Sequence, residues 1–352
     1  MPDARPELPP RREGVPVTVL TGFLGSGKTT LLKRILEAED GGRTAVLINE
    51  YGEVGLDHLI VSEVAPDVVL LKSGCVCCAI RGELRDALAT LLSQRERGLI
   101  PRFERIVLET TGLADPGPII ATLLADPVLK YHCRLSQVVC VVDTMLAGDE
   151  QHPEWFAQVG AADTLVLSKT DLATPVQVRQ SLHRLSQLNP VALVLDASDQ
   201  ERTRLDALEA EGGRQERPDL LRLSRLGGRP DGSPQPDPAD EHPHQHTGNV
   251  QSFCLTFDHE LEWASFGIWL TLLLNAHGSK ILRVKGLLNV AGHDGPVVLH
   301  GVQHLVHPPE QLSSWPDDDR RSKVLFIFSE LSREAIERSF RVFTQRRAVS
   351  VT

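Results

Sequence analysis

From Val17 to about Leu195, short and almost wholly apolar runs alternate with segments whose apolar residues recur every three or four positions. The runs Val17–Thr21, Thr44–Asn49, Val68–Lys72, Arg105–Glu109, Val138–Asp143, Thr164–Ser168 and Ala192–Leu195 read as strands. A strand covered on both faces needs no polar side, so near-continuous apolarity is the pattern burial there produces. Helices are expected at Thr29–Glu39, Glu83–Arg97, Pro118–Leu124 and Val176–Leu188. This alternation predicts an α/β domain, a parallel sheet with helices on both faces, over residues 15–210.

The pattern changes at about Glu211. Residues 211–249 are rich in Gly, Pro, Asp and Arg and hold too little apolar surface to offset ordering, so a flexible His-containing linker is expected there. Order resumes with a strand at Gln251–Phe257 and a helix at Glu260–Ala276 that places Trp263, Phe266, Leu270, Leu273 and Leu274 on one face. Strands follow at Ile281–Leu288, Val297–Val306 and Lys323–Phe328, then a helix with Ile336, Phe340 and Phe343 at i, i+4, i+7. Residues 250–347 thus predict a smaller α+β domain, and the polar, Pro/Arg-rich residues 1–14 a disordered N-terminus. A length of 352 residues accommodates two domains.

Charge narrows the function. With 37 Lys and Arg against 47 Asp and Glu, the net charge is −10. That balance argues against a general nucleic-acid binder, which needs excess cations to displace phosphate counterions. No apolar run approaches the roughly 18 residues that span a bilayer, and the N-terminus has no apolar secretory core. A cytoplasmic, reducing setting is therefore expected, without membrane or nucleic-acid partners. There, packed thiols point to metal or redox chemistry before disulfides.

Gly22-Phe23-Leu24-Gly25-Ser26-Gly27-Lys28-Thr29 matches the phosphate-loop pattern G-x-x-x-x-G-K-[ST], directly after one expected strand and before a helix. Glycines let the backbone curl so that its N–H groups converge on phosphate oxygens, and the helix start adds its positive dipole end. Lys28 would reach the β- and γ-phosphates, and the Thr29 hydroxyl would ligate Mg²⁺. The fold expected is that of a P-loop NTPase.

Ser168-Lys169-Thr170-Asp171 follows another strand where GTPases carry Asn-Lys-x-Asp. The Asp171 carboxylate would accept guanine N1–H and N2–H, which adenine does not offer. Lys169 would pack its stem on the base, and Ser168 departs from the pattern. Arg105-Ile106-Val107-Leu108-Glu109-Thr110-Thr111-Gly112 reads as a strand running into a D-x-x-G-like turn. Glu109 would face the magnesium's water shell and the Gly112 N–H the γ-phosphate.

Cys75, Cys77 and Cys78 fall within four positions between a strand and a helix. Thiolates are soft ligands that select Zn²⁺, Cu⁺ or Co²⁺ over Mg²⁺. Three of them leave a fourth position to water, a carboxylate, a histidine or a partner, the mark of an exchangeable site. Glu50 and Glu53 stand where a nucleotide-sensing loop would be, so Glu53 is a candidate fourth ligand. Cys133, Cys140 and Cys254 each sit among apolar neighbours and are expected in the core. His242, His244 and His246 are spaced by two in the linker, either loose metal ligands or plain solvated residues. His304 and His307 carry no assignment.

With the phosphate loop, Asn49-Glu50-Tyr51-Gly52-Glu53, the cysteine trio, Glu109-Thr110-Thr111-Gly112-Leu113-Ala114-Asp115-Pro116 and Ser168-Lys169-Thr170-Asp171 in this order, the chain resembles the CobW family of metal-chaperone GTPases. Arg283-Val284-Lys285-Gly286-Leu287 and Leu299-His300-Gly301-Val302-Gln303 resemble that family's second domain. The resemblance implies a slow GTPase that binds Zn²⁺ or Co²⁺ through the trio and delivers it to a client metalloprotein docking on the C-terminal domain. It carries phosphate and Mg²⁺ contacts onto Gly22, Gly25, Ser26, Gly27, Lys28, Thr29 and Thr30, base reading onto Asp171, and metal binding foremost onto Cys77 and Cys78. A nucleotide- or metal-dependent homo-oligomer stays open. Two other readings compete: a P-loop kinase with a structural zinc, and a nucleotide-gated adaptor whose cysteines are structural.

Overall fold

The computed structural model describes residues 14–38, 44–49, 69–73, 80–146, 152–205, 207–208, 218–226 and 250–348. Its first domain is built on a seven-stranded sheet in the order β3-β2-β4-β1-β5-β6-β7. The strands are β1 Val15–Thr21, β2 Thr44–Asn49, β3 Val69–Ser73, β4 Arg105–Glu109, β5 Cys133–Asp143, β6 Thr164–Ser168 and β7 Leu193–Asp196. Every pairing is parallel.

Period-two alternation along these strands fills two cores. Ala45 and Leu47 of β2, and Ile106 and Leu108 of β4, pack with Leu84, Leu88 and Leu91 of helix α2 (Ile80–Glu96) and Ile119, Ile120 and Leu123 of α3 (Gly117–Ala125). Their sequence neighbours Val46, Ile48 and Val107 turn to the other face, under Leu31, Leu32, Ile35 and Leu36 of α1 (Lys28–Ala38). Both faces are thus covered, as the apolar runs required. A short helix unmarked in the sequence pattern, α4 (Pro127–His132), is started by Asp126, whose carboxylate accepts from the N–H groups of Val128 and Leu129. Another, α5 (Pro153–Ala161), precedes β6, and α6 (Pro175–Leu188) precedes β7.

The second sheet is antiparallel and six-stranded, with the path β11-β10-β9-β13-β8 and β12 paired to β10. Its strands are β8 Val250–Phe257, β9 Ile281–Leu288, β10 Val297–Val302, β11 Leu305–Val306, β12 Glu310–Gln311 and β13 Ser322–Ser329. One face carries Phe253, Val284, Leu288, Leu299, Val324 and Phe326 against helices α8 (Trp263–His277) and α9 (Arg333–Ala348). The expected apolar stripe of α8 is corrected at one position: Trp269 is buried, its Nε1 donating to Ser339 Oγ, while Trp263 in the first turn is 38% exposed. The single strand expected over Val297–Val306 is a tight hairpin, turning at Gln303 and His304 between β10 and β11.

The other face of that sheet does not meet solvent. Leu282, Leu287, Val298, Leu325 and Ile327 share one core with Trp155, Phe156 and Val159 of α5 and Leu185 and Leu188 of α6. Gly160 lets Leu282 approach α5, since a Cβ there would lie 3.0 Å from Leu282 Cδ1. The linker expected over 211–249 is corrected at Pro218–Arg225, which forms helix α7 with Leu220 and Leu223 in this shared core. Helices α5, α6 and α7 are therefore sandwiched between two sheets, and the two domains dock through a continuous apolar layer.

Candidate nucleotide and metal site

In a parallel sheet all strands end on one edge, and every described site candidate lies there. Gly22, Gly25 and Gly27 have φ of 145°, 69° and 93°, values that L side chains rarely adopt. A Cβ at Gly22 would also sit 2.4 Å from the Val141 carbonyl oxygen. This curl opens α1 at Lys28. Lys28 is nearly buried, and its Nζ donates to the carbonyls of Gly22 (2.9 Å) and Phe23 (3.2 Å). Ser26 Oγ is out of solvent with no hydrogen-bond partner. Thr29 Oγ1 donates to Glu109 Oε1 at 2.9 Å, which joins the first turn of α1 to the end of β4, and Thr30 is exposed beside it. A hydroxyl and a carboxylate meeting beside a Gly-curled loop are hard oxygen donors of the kind Mg²⁺ takes, and the unpartnered Ser26 hydroxyl marks a polar group with spare hydrogen-bonding capacity.

Beyond Glu109 the chain turns. Thr110 N–H donates to the Leu20 carbonyl and Thr110 Oγ1 to Thr21 Oγ1 (2.9 Å). Gly112 lies against the phosphate-loop pattern: a Cβ on it would be 2.7 Å from Leu24 N. Gln158 of α5 donates through Nε2 to the carbonyls of both Gly112 and Ala114, at 3.0 Å each.

Ser168, Lys169 and Asp171 form the neighbouring loop. Ser168 Oγ is 2.6 Å from the Ser26 carbonyl oxygen and 3.3 Å from that of Val142, tying this loop to the Gly-rich one. Lys169 adopts φ 57° and pairs its Nζ with Asp143 Oδ2 at 2.5 Å. Asp171 is exposed on the same loop. Sequence reasoning missed Asp143, Gln158 and Thr110. Asp143 had a visible signal, an acid ending an apolar strand one strand away from the Lys169 loop; Gln158 had none, because only the tertiary fold brings α5 under the Gly112 turn.

The structure does not bring the metal candidates into view: Glu53, Cys75, Cys77, Cys78, His242, His244 and His246 lie outside the described residues. Among the described residues no group of three His, Cys, Asp or Glu side chains is arranged to hold a metal ion, and no helix is long and apolar enough to cross a membrane. The register does fix where the cysteine segment leaves the sheet. Leu20 pairs with Glu109, Glu109 with Ile48, and Ile48 with Lys72, so these four stand in one row. At about 4.8 Å per strand, Lys72 lies about 10 Å from Glu109, one residue before β3 ends. The core thiols behave as expected for two of three. Burial pushes Cys140 up to about 12 and Cys133 up to about 11, against lowering by Lys28 and Arg95 respectively. Cys254 is only half-buried.

Comparison with known proteins agrees with this architecture. Residues 16–196 match the CobW/HypB/UreG nucleotide-binding domain, and residues 250–344 the cobalamin synthesis protein cobW C-terminal domain. The chain is 32% identical over 329 residues to the zinc chaperone YjiA of Escherichia coli, covering 93% of this chain and 98% of that protein. It is 29% identical to the zinc chaperone CobW of Pseudomonas aeruginosa, covering 93% and 91%. The crystal structure of Zn(II)-bound YjiA GTPase from E. coli superposes with a TM-score of 0.68 at 29% identity, over 94% of this chain and 99% of that one. Both halves of the chain, and nearly its whole length, thus place it in the CobW family, a P-loop nucleotide-binding domain joined to a CobW C-terminal domain.

Proposed function

We propose that this chain is a GTP-hydrolysing metallochaperone that holds Zn²⁺, or Co²⁺, at Cys75, Cys77 and Cys78 with Glu53 as a further ligand, and passes it to a client metalloprotein. The observation that carries the reading is the strand row Leu20–Glu109–Ile48–Lys72. It supports a thiol segment and a nucleotide site on the same sheet edge, close enough for one to answer the other.

The residues have separable tasks in this reading. Gly22, Gly25 and Gly27 shape backbone N–H groups around the phosphates, with Ser26 beside them. Lys28 exchanges its two loop carbonyls for the β- and γ-phosphates. Thr29 and Glu109 would hold Mg²⁺ and its water shell, and the ion would supply neutralisation of charge on the phosphoryl oxygens. Gly112 N–H senses the γ-phosphate. Asp171 reads guanine, with Lys169 over the ring and Ser168 fastening that loop to the phosphate loop. The cargo is held by thiolates, which must be deprotonated to bind it, so loading releases protons and weakens with acid.

A competition titration with Zn²⁺ and Co²⁺, run with GTP·Mg²⁺, GDP·Mg²⁺ and no nucleotide, tests the reading. The metal affinity is expected to differ by about fivefold or more between GTP and GDP, within the usual range of coupling between sites. Equal affinities in all three states would remove the coupling. Cys77→Ser with Cys78→Ser is expected to lose metal while keeping GTP binding; global unfolding of that variant would favour structural cysteines.

A further inference from the structure

The hairpin between β10 and β11 reaches across the domain boundary. Gln303 at its tip donates through Nε2 to Asp115 Oδ2 at 2.9 Å, and the other oxygen of Asp115 accepts from Gly117 N–H at 2.8 Å. Asp115 belongs to the turn that runs from Glu109 through Gly112 to the start of α3. The amide group of Gln303 lies flat on Gly117: a Cβ there would be 2.2 Å from Gln303 Nε2 and 2.4 Å from Cδ. Beside it, Val302 is buried in the first domain's core with Ile119, Ile120 and Leu123 of α3.

Two features say that this contact is selected. Gln303 has φ 52°, a left-handed conformation where Gly or Asn is the comfortable choice. Residues held there persist where the side chain has work that outweighs the strain. Gly117, conversely, lies in the first turn of a helix, where glycine is a poor helix former and its one visible merit is the space it leaves for the Gln303 amide.

We infer that Gln303, a residue of the C-terminal domain, is a positioning residue for the γ-phosphate-sensing turn: through Asp115 and Gly117 it holds residues 112–117 in place for GTP hydrolysis. The inference rests on the GTPase reading above. Gln158 braces the same turn from α5, and α5 packs on β9, so the second domain supports the turn on two sides. By reciprocity, a partner that binds the hairpin better in one nucleotide state shifts GTP affinity by the same factor.

Two substitutions break the contact while favouring the local backbone. Gln303→Asn suits the left-handed turn but is one methylene too short, and Gly117→Ala suits the helix but displaces the amide. In full-length protein each is expected to slow single-turnover GTP hydrolysis about three- to tenfold, the effect of one hydrogen bond, with GTP affinity changed less than twofold and thermal stability retained. The double variant should be no slower than either single one. Amide hydrogen exchange at residues 112–117, measured without nucleotide, is expected to quicken in both variants. Wild-type rates and unchanged exchange in both would overturn the inference while leaving the GTPase reading intact. A wild-type protein that hydrolyses no GTP would instead remove that reading and the hydrolytic role of Gln303 with it.

Discussion

In the proposed guanine-reading loop Ser168 takes the place of an asparagine, and its neighbours suit a short side chain. The hydroxyl reaches the Ser26 carbonyl at 2.6 Å, so a short side chain suffices to tie the two loops. Ser168→Ala leaves that buried carbonyl without this donor, and GTP affinity is expected to fall about three- to tenfold in a fluorescent-nucleotide titration. Unchanged affinity would show that the loops are positioned by other contacts. At this scale the sequence was legible wherever a residue type admits one use, as with glycines at positive φ and the lysine after them. It was illegible for Gln158, a lone glutamine without pattern. Gln303, though in a stretch that resembles the family's second domain, showed no partner there, since its contact exists only in the tertiary fold. The thiols offer a second check. Burial holds Cys133 and Cys140 in the neutral thiol form well above pH 8, so native-state alkylation at that pH is expected to spare both and to reach them on unfolding.

Elements were predictable to the extent that they were long and periodic. Because burial on both faces writes itself as continuous apolarity, the parallel strands and helices α1, α2, α3 and α6 fall close to their expected positions, β5 alone starting well before the expected Val138, at Cys133. Of the short helices α3 was expected, but α4, α5 and α7 escaped. In α7 an eight-residue amphipathic stretch is set in Gly- and Pro-rich surroundings, and composition averaged over that window hides it. Its Leu223 is fully buried between two sheets, so Leu223→Ala is expected to cost about 2–5 kcal/mol in urea unfolding. A loss under about 0.5 kcal/mol would mean that α7 rests on the surface instead of belonging to the core. The β10–β11 hairpin escaped for a different reason: its turn residues, Gln303 and His304, are not turn formers, and a left-handed glutamine goes against propensity.

Across the whole molecule, ion pairs complete what apolar packing begins. Asp163, just before β6, pairs with Arg283 and Lys285 of β9, and Lys285 also reaches Asp219 of α7. Arg283 and Lys285 side chains are 3% and 1% exposed. Burial alone would raise the Asp163 carboxyl, but the two cations outweigh it and hold it well below the usual carboxylate range. Asp163→Asn would leave Arg283 without its carboxylate and Lys285 with Asp219 alone, and a loss of about 3–5 kcal/mol is expected in denaturant unfolding. His300 and His307 adjoin the same cluster. Burial, with Arg283 and Lys285 nearby, depresses both, His307 to about 3, against the opposite pull of Asp163. The folded state therefore keeps them neutral while the unfolded chain takes up protons below pH 6.5, so stability falls as pH drops from there towards about 3. The slope is at most about 1.4 kcal/mol per pH unit for each histidine. Urea midpoints at pH 7 and pH 5 should differ less in a His300→Gln/His307→Gln double variant than in the parent chain.

Helix α7 also fixes one end of the chain that leads into β8. It is pinned to the second sheet by Lys285 at Asp219 and by Lys323 at the Ser224 carbonyl, and the chain re-enters that sheet at Val250. Both ends of the chain between Leu226 and Val250 are therefore held beside the second sheet. Between two fixed anchors, doubling the length of a span costs only about 0.6 kcal/mol. Lengthening the chain between Leu226 and Val250 is therefore expected to leave the stability of both sheets nearly unchanged in urea unfolding.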